Sequence, residues 1–245
     1  LSMSTSTAAL PYRPIGSAGL TVTEIGFGSA PIGNFRYRIS DDDAQGAMTA
    51  LWAGGGRLYD NWYVALGKAG PATKHPSWPA SNTNVTGAAP WRCKSCHGWD
   101  YLGREGQYGT GTDATGIIGI GRMRGRDPEA IARILGNPTH QFTDELIPPH
   151  ARYRIALFVA QGQHLFPRAV EKGGQIRGNL EQGRALFQTV CAACHGFDGR
   201  ARRLGISART DFTGPGLYVG TKANANPAEV LHKIRNGHPG AIMIS

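Results

Sequence analysis

The sequence has few cysteines and no long apolar run. Its 4 Cys in 245 residues all fall in two short motifs, so none is left for a structural disulfide. No apolar stretch approaches the ~18 residues of a membrane-spanning helix. Residues 1–16 lack the positively charged start and the apolar segment of a signal peptide. The basic residues are scattered outside any recognised module, so the net charge of +9 does not indicate a nucleic-acid partner.

Two copies of the pattern Cys-x-x-Cys-His are the most informative feature that is present. They lie in the segments RCKSCHGWD (92–100) and VCAACHGFDG (190–199). Two thiols one helical turn apart can each bond to a vinyl group of one porphyrin, while the adjacent imidazole reaches the iron. The motifs therefore predict two covalent haems c, held by these residues: Cys93, Cys96 and His97 for the first, and Cys191, Cys194 and His195 for the second.

Two other uses of paired cysteines remain as alternatives. A Cys-x-x-Cys pair also occurs in zinc sites and in redox dithiols. A zinc site does not require a His directly after the second Cys in both copies. Nor does it require the Gly and the aromatic-Asp pair that follow both motifs, as His97-Gly98-Trp99-Asp100 and His195-Gly196-Phe197-Asp198. These shared residues favour haem attachment, with a zinc-binding protein as an alternative.

The two motifs belong to a longer internal repeat. Cys93 and Cys191 are 98 residues apart, and the segment TDATG (112–116) recurs at the same offset as TDFTG (210–214). The segment DPEAI (127–131) recurs as NPAEV (226–230), at an offset of 99. Three landmarks in nearly one register indicate two copies of one haem-binding fold.

Residues 57–245 resemble a di-haem cytochrome c. The resemblance implies a mainly α fold with two tandem cytochrome c-like haem-binding domains, at residues 57–170 and 171–245. Helical patterns support it in the segments 58–66, 151–161 and 180–190, and Pro128 and Pro227 suit the first position of two further helices. The second copy reaches Ser245 before a terminal helix, so we expect it to be truncated there. Haem c is normally attached after export, so the resemblance also implies a periplasmic protein.

The first 56 residues differ from the rest. Residues 12–34 predict a Gly-turned hairpin that leads into an apolar strand. Ser40 is a good N-cap for a helix that we expect to stop at Gly54-Gly55-Gly56.

This segment, residues 10–56, resembles the start of the (β/α)₈ barrel of the aldo-keto reductases. Residues 57–60 match the second barrel strand, but Ala65 stands where the catalytic Tyr belongs. We therefore expect no reductase activity, and an NADPH-dependent aldo-keto reductase fragment or fusion is kept as an alternative.

Each haem iron also has a sixth coordination position, for which the sequence offers several candidate ligands. Met243 lies 48 residues after His195, where the resemblance places an axial Met, with His238 as the second choice. For the first haem we favour His140, 43 residues after His97, over Met123. The alternatives that we rank lower are His150 and His164.

The predicted function is electron transfer through the two haems. The sequence shows no acid, base or nucleophile set for substrate turnover, so a carrier or an electron-transfer subunit is favoured over a self-contained enzyme. An axial Met raises the reduction potential relative to a second His, so electrons would enter at the first haem and leave from the second. The net charge of +9 favours redox partner proteins with acidic docking surfaces.

Overall fold

A computed structural model describes residues 12–15, 20–23, 40–164, 177–201, 218–241 and 243. Their contacts divide the chain into residues 1–48 and 49–245. The described residues are mainly helical, and their only strands form one hairpin. This agrees with the mainly α fold that the sequence predicts.

In residues 1–48, β1 (Tyr12–Ile15) pairs antiparallel with β2 (Leu20–Thr23). The predicted hairpin is thus confirmed, and its predicted continuation to residue 34 lies outside the described residues. Helix α1 begins at Asp41, where the backbone N–H of Asp43 donates to the Ser40 Oγ over 3.0 Å. Ser40 therefore caps the helix as predicted.

The predicted end of α1 at Gly54–Gly56 is wrong, because the helix runs from Asp41 to Ala65. Glycine costs about 1 kcal/mol per residue in a helix relative to alanine. Here tertiary packing outweighs that cost. A Cβ on Gly54 would collide with the Arg154 guanidinium, and one on Gly56 with the Asn236 side chain. The glycines let two other helices approach α1 closely.

The same helix also covers residues 57–60, so their expected match to the second strand of an aldo-keto reductase barrel is wrong. The helical pattern of residues 58–66 is therefore confirmed up to Ala65. Asn61 departs from helical geometry, with φ −155° and ψ 89°. Its Oδ1 accepts from the Val64 N–H over 3.2 Å, so Asn61 starts the last turn much as an N-cap does.

Short helices build the rest of the first copy, and they confirm the helices predicted after Pro128 and over residues 151–161. Asp127 caps α3, accepting from Glu129 N at 3.0 Å and Ala130 N at 3.2 Å. The elements are a 3₁₀ turn at Ala89–Trp91, α2 at Cys93–His97, 3₁₀ turns at Gln107–Gly109 and Gly121–Met123, α3 at Pro128–Leu135, and α4 at Pro149–Leu157, which continues as a π-helical turn at Phe158–Gly162.

The described part of the second copy is also helical, as predicted for residues 180–190 and for the segment after Pro227. Asn226 takes the place of Asp127, and its side chain accepts from Glu229 N over 3.2 Å. The landmark at residues 210–214 lies outside the described residues. The elements are α5 at Leu180–Leu186, a π-helical turn at Phe187–Cys191, α6 at Ala192–His195, α7 at Val219–Ala225 and α8 at Pro227–Asn236.

Among the described residues of 49–245, the larger hydrophobic core lies in the first copy. It joins one face of α1 to α3, to α4 and to the residues around the first motif, and it is rich in aromatic rings. Its largest fully buried members are Tyr59, Trp62, Tyr101, Ile147, Ile155 and Phe158.

Helix α8 belongs to the second copy by sequence but packs against the first. It buries Ala228, His232 and Asn236, which lie four residues apart along one face. The imidazole of His232 is fully buried, with Nδ1 2.8 Å from the Tyr101 hydroxyl and Nε2 2.9 Å from the Gly56 carbonyl. The carbonyl accepts only, so Nε2–H donates to it and Nδ1 accepts from Tyr101. The sequence did not predict this contact.

Candidate haem sites

The first motif opens onto an apolar cavity. Cys93, Cys96 and His97 line it, and so do the two candidate sixth ligands, His140 and Met123. The rest of the lining is mostly aliphatic and aromatic, and includes Trp91, Ile117, Ile118, Ile120, Ile131, Ile134, Leu135, Phe142, Ile155 and Val159. Thus the structure brings the first motif together with the two higher-ranked candidates for its sixth ligand. An apolar pocket with a few converging polar groups is typical of a cofactor site.

Helix α2 carries the whole first attachment motif in a little over one turn, from Cys93 to His97. Gly98 ends it with a φ of 80°, a region that favours glycine. The hydroxyl of Tyr59 donates to the Gly98 carbonyl over 2.7 Å. The Asp100 carboxylate accepts from the Leu102 N–H over 3.1 Å, which forms an Asx turn.

His97 is oriented as an iron ligand would be. Its Nδ1 lies 2.8 Å from the carbonyl oxygen of Ile118, so this nitrogen carries the proton of the neutral ring. A backbone carbonyl on Nδ1 is the usual outer partner of a metal-bound histidine, and it leaves Nε2 for the metal. Burial lowers the pKa of His97 and so favours the neutral form that a metal needs.

His140 faces His97 across the cavity. The two ring centroids are 6.2 Å apart, and the ring planes differ by 28°. Two imidazoles bound to opposite sides of one metal, with metal–nitrogen bonds of about 2.0 Å, hold their centroids roughly 6 Å apart. The Nδ1 of His140 lies 3.2 Å from the Asn137 Oδ1. Burial, and then the neighbouring His97 and His75, lower the pKa of His140 to about 4.

The two thiols of the first motif do not have the character of a reactive dithiol. Burial raises the pKa of Cys93 and of Cys96 to about 12. Redox-active Cys-x-x-Cys pairs instead have a lowered thiol pKa. Among the described residues, no group of three or more His, Cys, Asp or Glu side chains is placed to hold a metal ion by itself. The donor set at the first motif thus fits a haem, which brings its own four nitrogens.

A buried ion pair fixes the start of the first motif. Asp60 is 1% exposed, and its carboxylate pairs with Arg92, the residue before Cys93. The Nζ of Lys233, on α8, lies 3.8 Å from the same carboxylate. Burial by itself raises the pKa of Asp60, but Arg92 and Lys233 outweigh it, so the pKa is lowered. Sequence analysis missed this pair because its members are 32 residues apart.

The second motif repeats the local geometry of the first. Gly196 follows His195 with a φ of 77°, and Asp198 accepts from the Arg200 N–H over 3.0 Å. The carbonyl of His195 accepts from the Ala201 N–H over 2.8 Å, and that of His97 from Gly103 over 2.9 Å. The Gly and the Asp that both motifs share therefore have the same structural roles in each copy.

The surroundings of the second motif differ from those of the first. Cys194 is exposed, Phe197 is 77% exposed, and Cys191 is partly buried. The Nδ1 of His195 is buried without a hydrogen-bond partner among the described residues. The counterpart of Ile118 at the repeat offset is residue 216, which lies outside those residues. The structure therefore does not describe the residue that corresponds, at the second motif, to Ile118 at the first.

The candidate sixth ligands of the second haem lie after α8. Met243 is partly buried, with its carbonyl oxygen 3.3 Å from where a Cβ on Gly237 would be. The Nδ1 of His238 lies 2.6 Å from the Pro239 carbonyl. Within the described part of the chain, no hydrogen bond or ring contact joins either residue to His195.

The remaining histidines lie away from the first cavity or serve it indirectly. His150 is exposed at the start of α4, and the Nε2 of His164 lies 2.9 Å from the Asn236 Nδ2. Neither lines the cavity. His75 does line it, and sequence analysis did not single it out. None of the described helices is long and apolar enough to cross a membrane.

Comparison with known proteins gives one family. No curated protein and no solved structure matches the chain. Residues 178–243 match the family described as cytochrome c oxidase, cbb3-type, subunit III. The matched segment contains the second motif and extends to Met243. This match, together with the mainly helical fold, supports a c-type cytochrome.

Proposed function

We propose that the chain is a di-haem cytochrome c that transfers electrons between redox partners. Cys93 and Cys96 would hold the first haem covalently, and His97 and His140 would bind its iron. Cys191 and Cys194 would hold the second haem, and His195 and Met243 would bind its iron. Haem iron supplies the one-electron change between its ferric and ferrous states.

The strongest support for this proposal comes from the cavity at the first motif. The attachment motif and His140 meet in one apolar cavity, with the His97 and His140 rings 6.2 Å apart. Each ring has an acceptor near Nδ1, the Ile118 carbonyl for His97 and Asn137 for His140. The tautomer that leaves Nε2 for a metal is therefore favoured in both rings.

The chain's own residues then set the properties of the first site. The apolar lining excludes water, which limits the reorganisation that accompanies a change in iron charge. Two imidazole ligands favour a lower potential than one imidazole and one thioether. With His140 and Met243 in these roles, electrons would enter at the first haem and leave from the second.

Partners and location belong to the same proposal. The net charge of +9 favours partners with acidic docking surfaces, because opposite charge speeds diffusional encounter. Because haem c is normally attached after export, haem attachment supports a periplasmic location.

The number of haems is the direct test. The chain produced with a haem-attachment system should show two covalent haems per polypeptide by pyridine haemochrome assay and intact mass. Changing both cysteines of one motif to serine removes the thioether bonds of that motif alone, so C93S/C96S and C191S/C194S should each retain one haem.

The paired variants also serve as controls for each other. If the wild-type chain carries one haem and C191S/C194S retains it, the di-haem proposal is wrong. That result would still place one haem at the first motif. A colourless protein that carries zinc would contradict haem attachment altogether.

A further inference from the structure

The loop between α1 and the first motif reaches across to His140. His75 is 7% exposed, and its ring centroid lies 4.4 Å from that of Trp91, just before the motif. The Nε2 of His75 lies 2.7 Å from the carbonyl oxygen of His140. Two residues later, the Ser77 hydroxyl donates to the carbonyl of Thr139 over 2.6 Å. The loop thus holds two consecutive carbonyls of the segment that carries His140.

The hydrogen bonds of His75 settle its tautomer. The backbone N–H of Ser77 donates to Nδ1 of His75 over 3.1 Å, so Nδ1 is an acceptor. Nε2 then carries the proton and donates to the His140 carbonyl. Both ring nitrogens of His75 are therefore in use, although the ring lines the cavity. This arrangement is that of a positioning residue and not of an iron ligand.

The other side of the His140 segment is held by Asn137. Its Oδ1 accepts from the backbone N–H groups of Thr139 and His140, each over 3.0 Å. Gln141 follows with a φ of 55°, which turns the chain sharply after His140. The segment is thus fixed from both sides, by Asn137 within its own turn and by His75 and Ser77 from a loop about 60 residues earlier.

We infer that His75 and Ser77 form a clamp that holds His140 in place beside His97, where it would bind the iron of the first haem. This inference rests on the proposed role of His140 as sixth ligand. The clamp reduces the freedom of the His140 segment before the iron is present, so less ordering is needed when the bond forms. It also opposes release of His140 and its replacement by a small ligand from solution.

The test uses the full-length protein with both haems attached. H75F keeps a ring in the cavity wall but removes the donor, and H75Q restores a donor near the same place. Losing one buried hydrogen bond should raise the affinity of the first haem for added imidazole about fivefold or more. H75F should also increase the high-spin fraction of the ferric spectrum with haem content unchanged, while H75Q stays near wild type.

S77A is a milder second variant that removes only the bond to the Thr139 carbonyl, and we expect about a twofold to fivefold gain in imidazole affinity. H150F is the matched control, because His150 is exposed and does not line the cavity. Amide hydrogen exchange at His140 and Gln141 should speed up in H75F and S77A but not in H150F.

The outcomes separate the clamp from the ligand assignment. If H140A makes the first haem high-spin while H75F and S77A keep wild-type imidazole affinity and exchange, the clamp is absent and the ligand assignment stands. If H140A leaves the spectrum unchanged, His140 is not the ligand, and both ideas fail. If H75F and H75Q both abolish the low-spin spectrum as fully as H140A, His75 is itself a ligand, and the clamp is wrong.

Discussion

The two copies of the attachment motif have the same backbone and different surroundings. In both, a short helix ends at a glycine of positive φ, and an aspartate forms a turn two residues later. Around the first motif the described residues build an apolar cavity that contains a facing histidine. At the second motif they leave Cys194 and Phe197 exposed.

This difference separates what a motif specifies from what a fold adds. Local hydrogen bonds suffice to place two thiols and an imidazole on one short helix. The cavity of the first copy instead needs α1, α3, α4 and the loop that carries His75. Helix α8 sharpens the contrast, since by sequence it belongs to the second copy while its buried face contacts the first.

The largest expected effect comes from removing the thioether bonds of one copy. C93S/C96S should lower the free energy of unfolding of the first copy by at least about 3–5 kcal/mol, the cost of emptying the space of one large core side chain. C191S/C194S should change it by less than about 0.5 kcal/mol, because neither cysteine lines the first cavity. All five Trp lie between residues 52 and 99, so urea unfolding followed by Trp fluorescence reports on the first copy.

An equal loss of stability in both double variants would show that the first copy depends on the second motif as much as on its own. Haem content measured on the same samples shows which haem is missing. Each double variant is therefore compared with the wild type, from which it differs by one haem only.

A smaller effect concerns pH. Burial lowers the pKa of His232 to about 4, whereas an unfolded histidine titrates near 6.5. Between these values the unfolded state binds more protons, so stability falls as the pH drops from about 6.5 to 4. The contribution of His232 is about 3 kcal/mol at about 1.4 kcal/mol per pH unit.

Urea unfolding by Trp fluorescence at several pH values between 7 and 4 measures this slope. H232N should flatten part of it, although the variant is less stable at pH 7. The unchanged slope of a variant at the exposed His150 provides the control. A wild-type slope in H232N would show that another group titrates in this window.

The smallest effects are at the helix caps. D127A and N226A each remove an N-cap, from α3 and α8, and each should cost about 1 kcal/mol. Because α8 packs on the first copy, both losses should appear in the unfolding transition reported by Trp. N179A removes the cap of α5, where Asn179 accepts from Gln182 N over 2.9 Å, and should leave that transition unchanged. A shift in N179A as large as that in N226A would contradict the different attachment of the two helices.

The features that were predicted from sequence depend on near neighbours. The caps at Ser40, Asp127 and Asn226 and the motif helices each follow from residues within about four positions. The choice of His140 as the sixth ligand of the first haem came instead from the internal repeat and stays a prediction. In the structure the His97 and His140 rings line the same cavity, with their centroids 6.2 Å apart.

The features that were missed depend on distant partners. The low helix propensity of glycine predicts a helix end at Gly54–Gly56. The helix continues through them instead, with Arg154 and Asn236 packed against these glycines. The sequence did not indicate a role for His75, because its hydrogen-bond partner His140 is 65 residues away. No periodicity or spacing encodes such contacts, so only the folded chain reveals them.

The bond between His232 and the Gly56 carbonyl also bears on the order of folding. It joins positions 176 residues apart, a separation that makes a contact slow to form because a long loop must close. A chain folds from its N-terminal part first as it is made. Helix α1 can therefore gather α3 and α4 early, but Gly56 and Tyr101 gain their buried partner only after residues 227–236 have been synthesised.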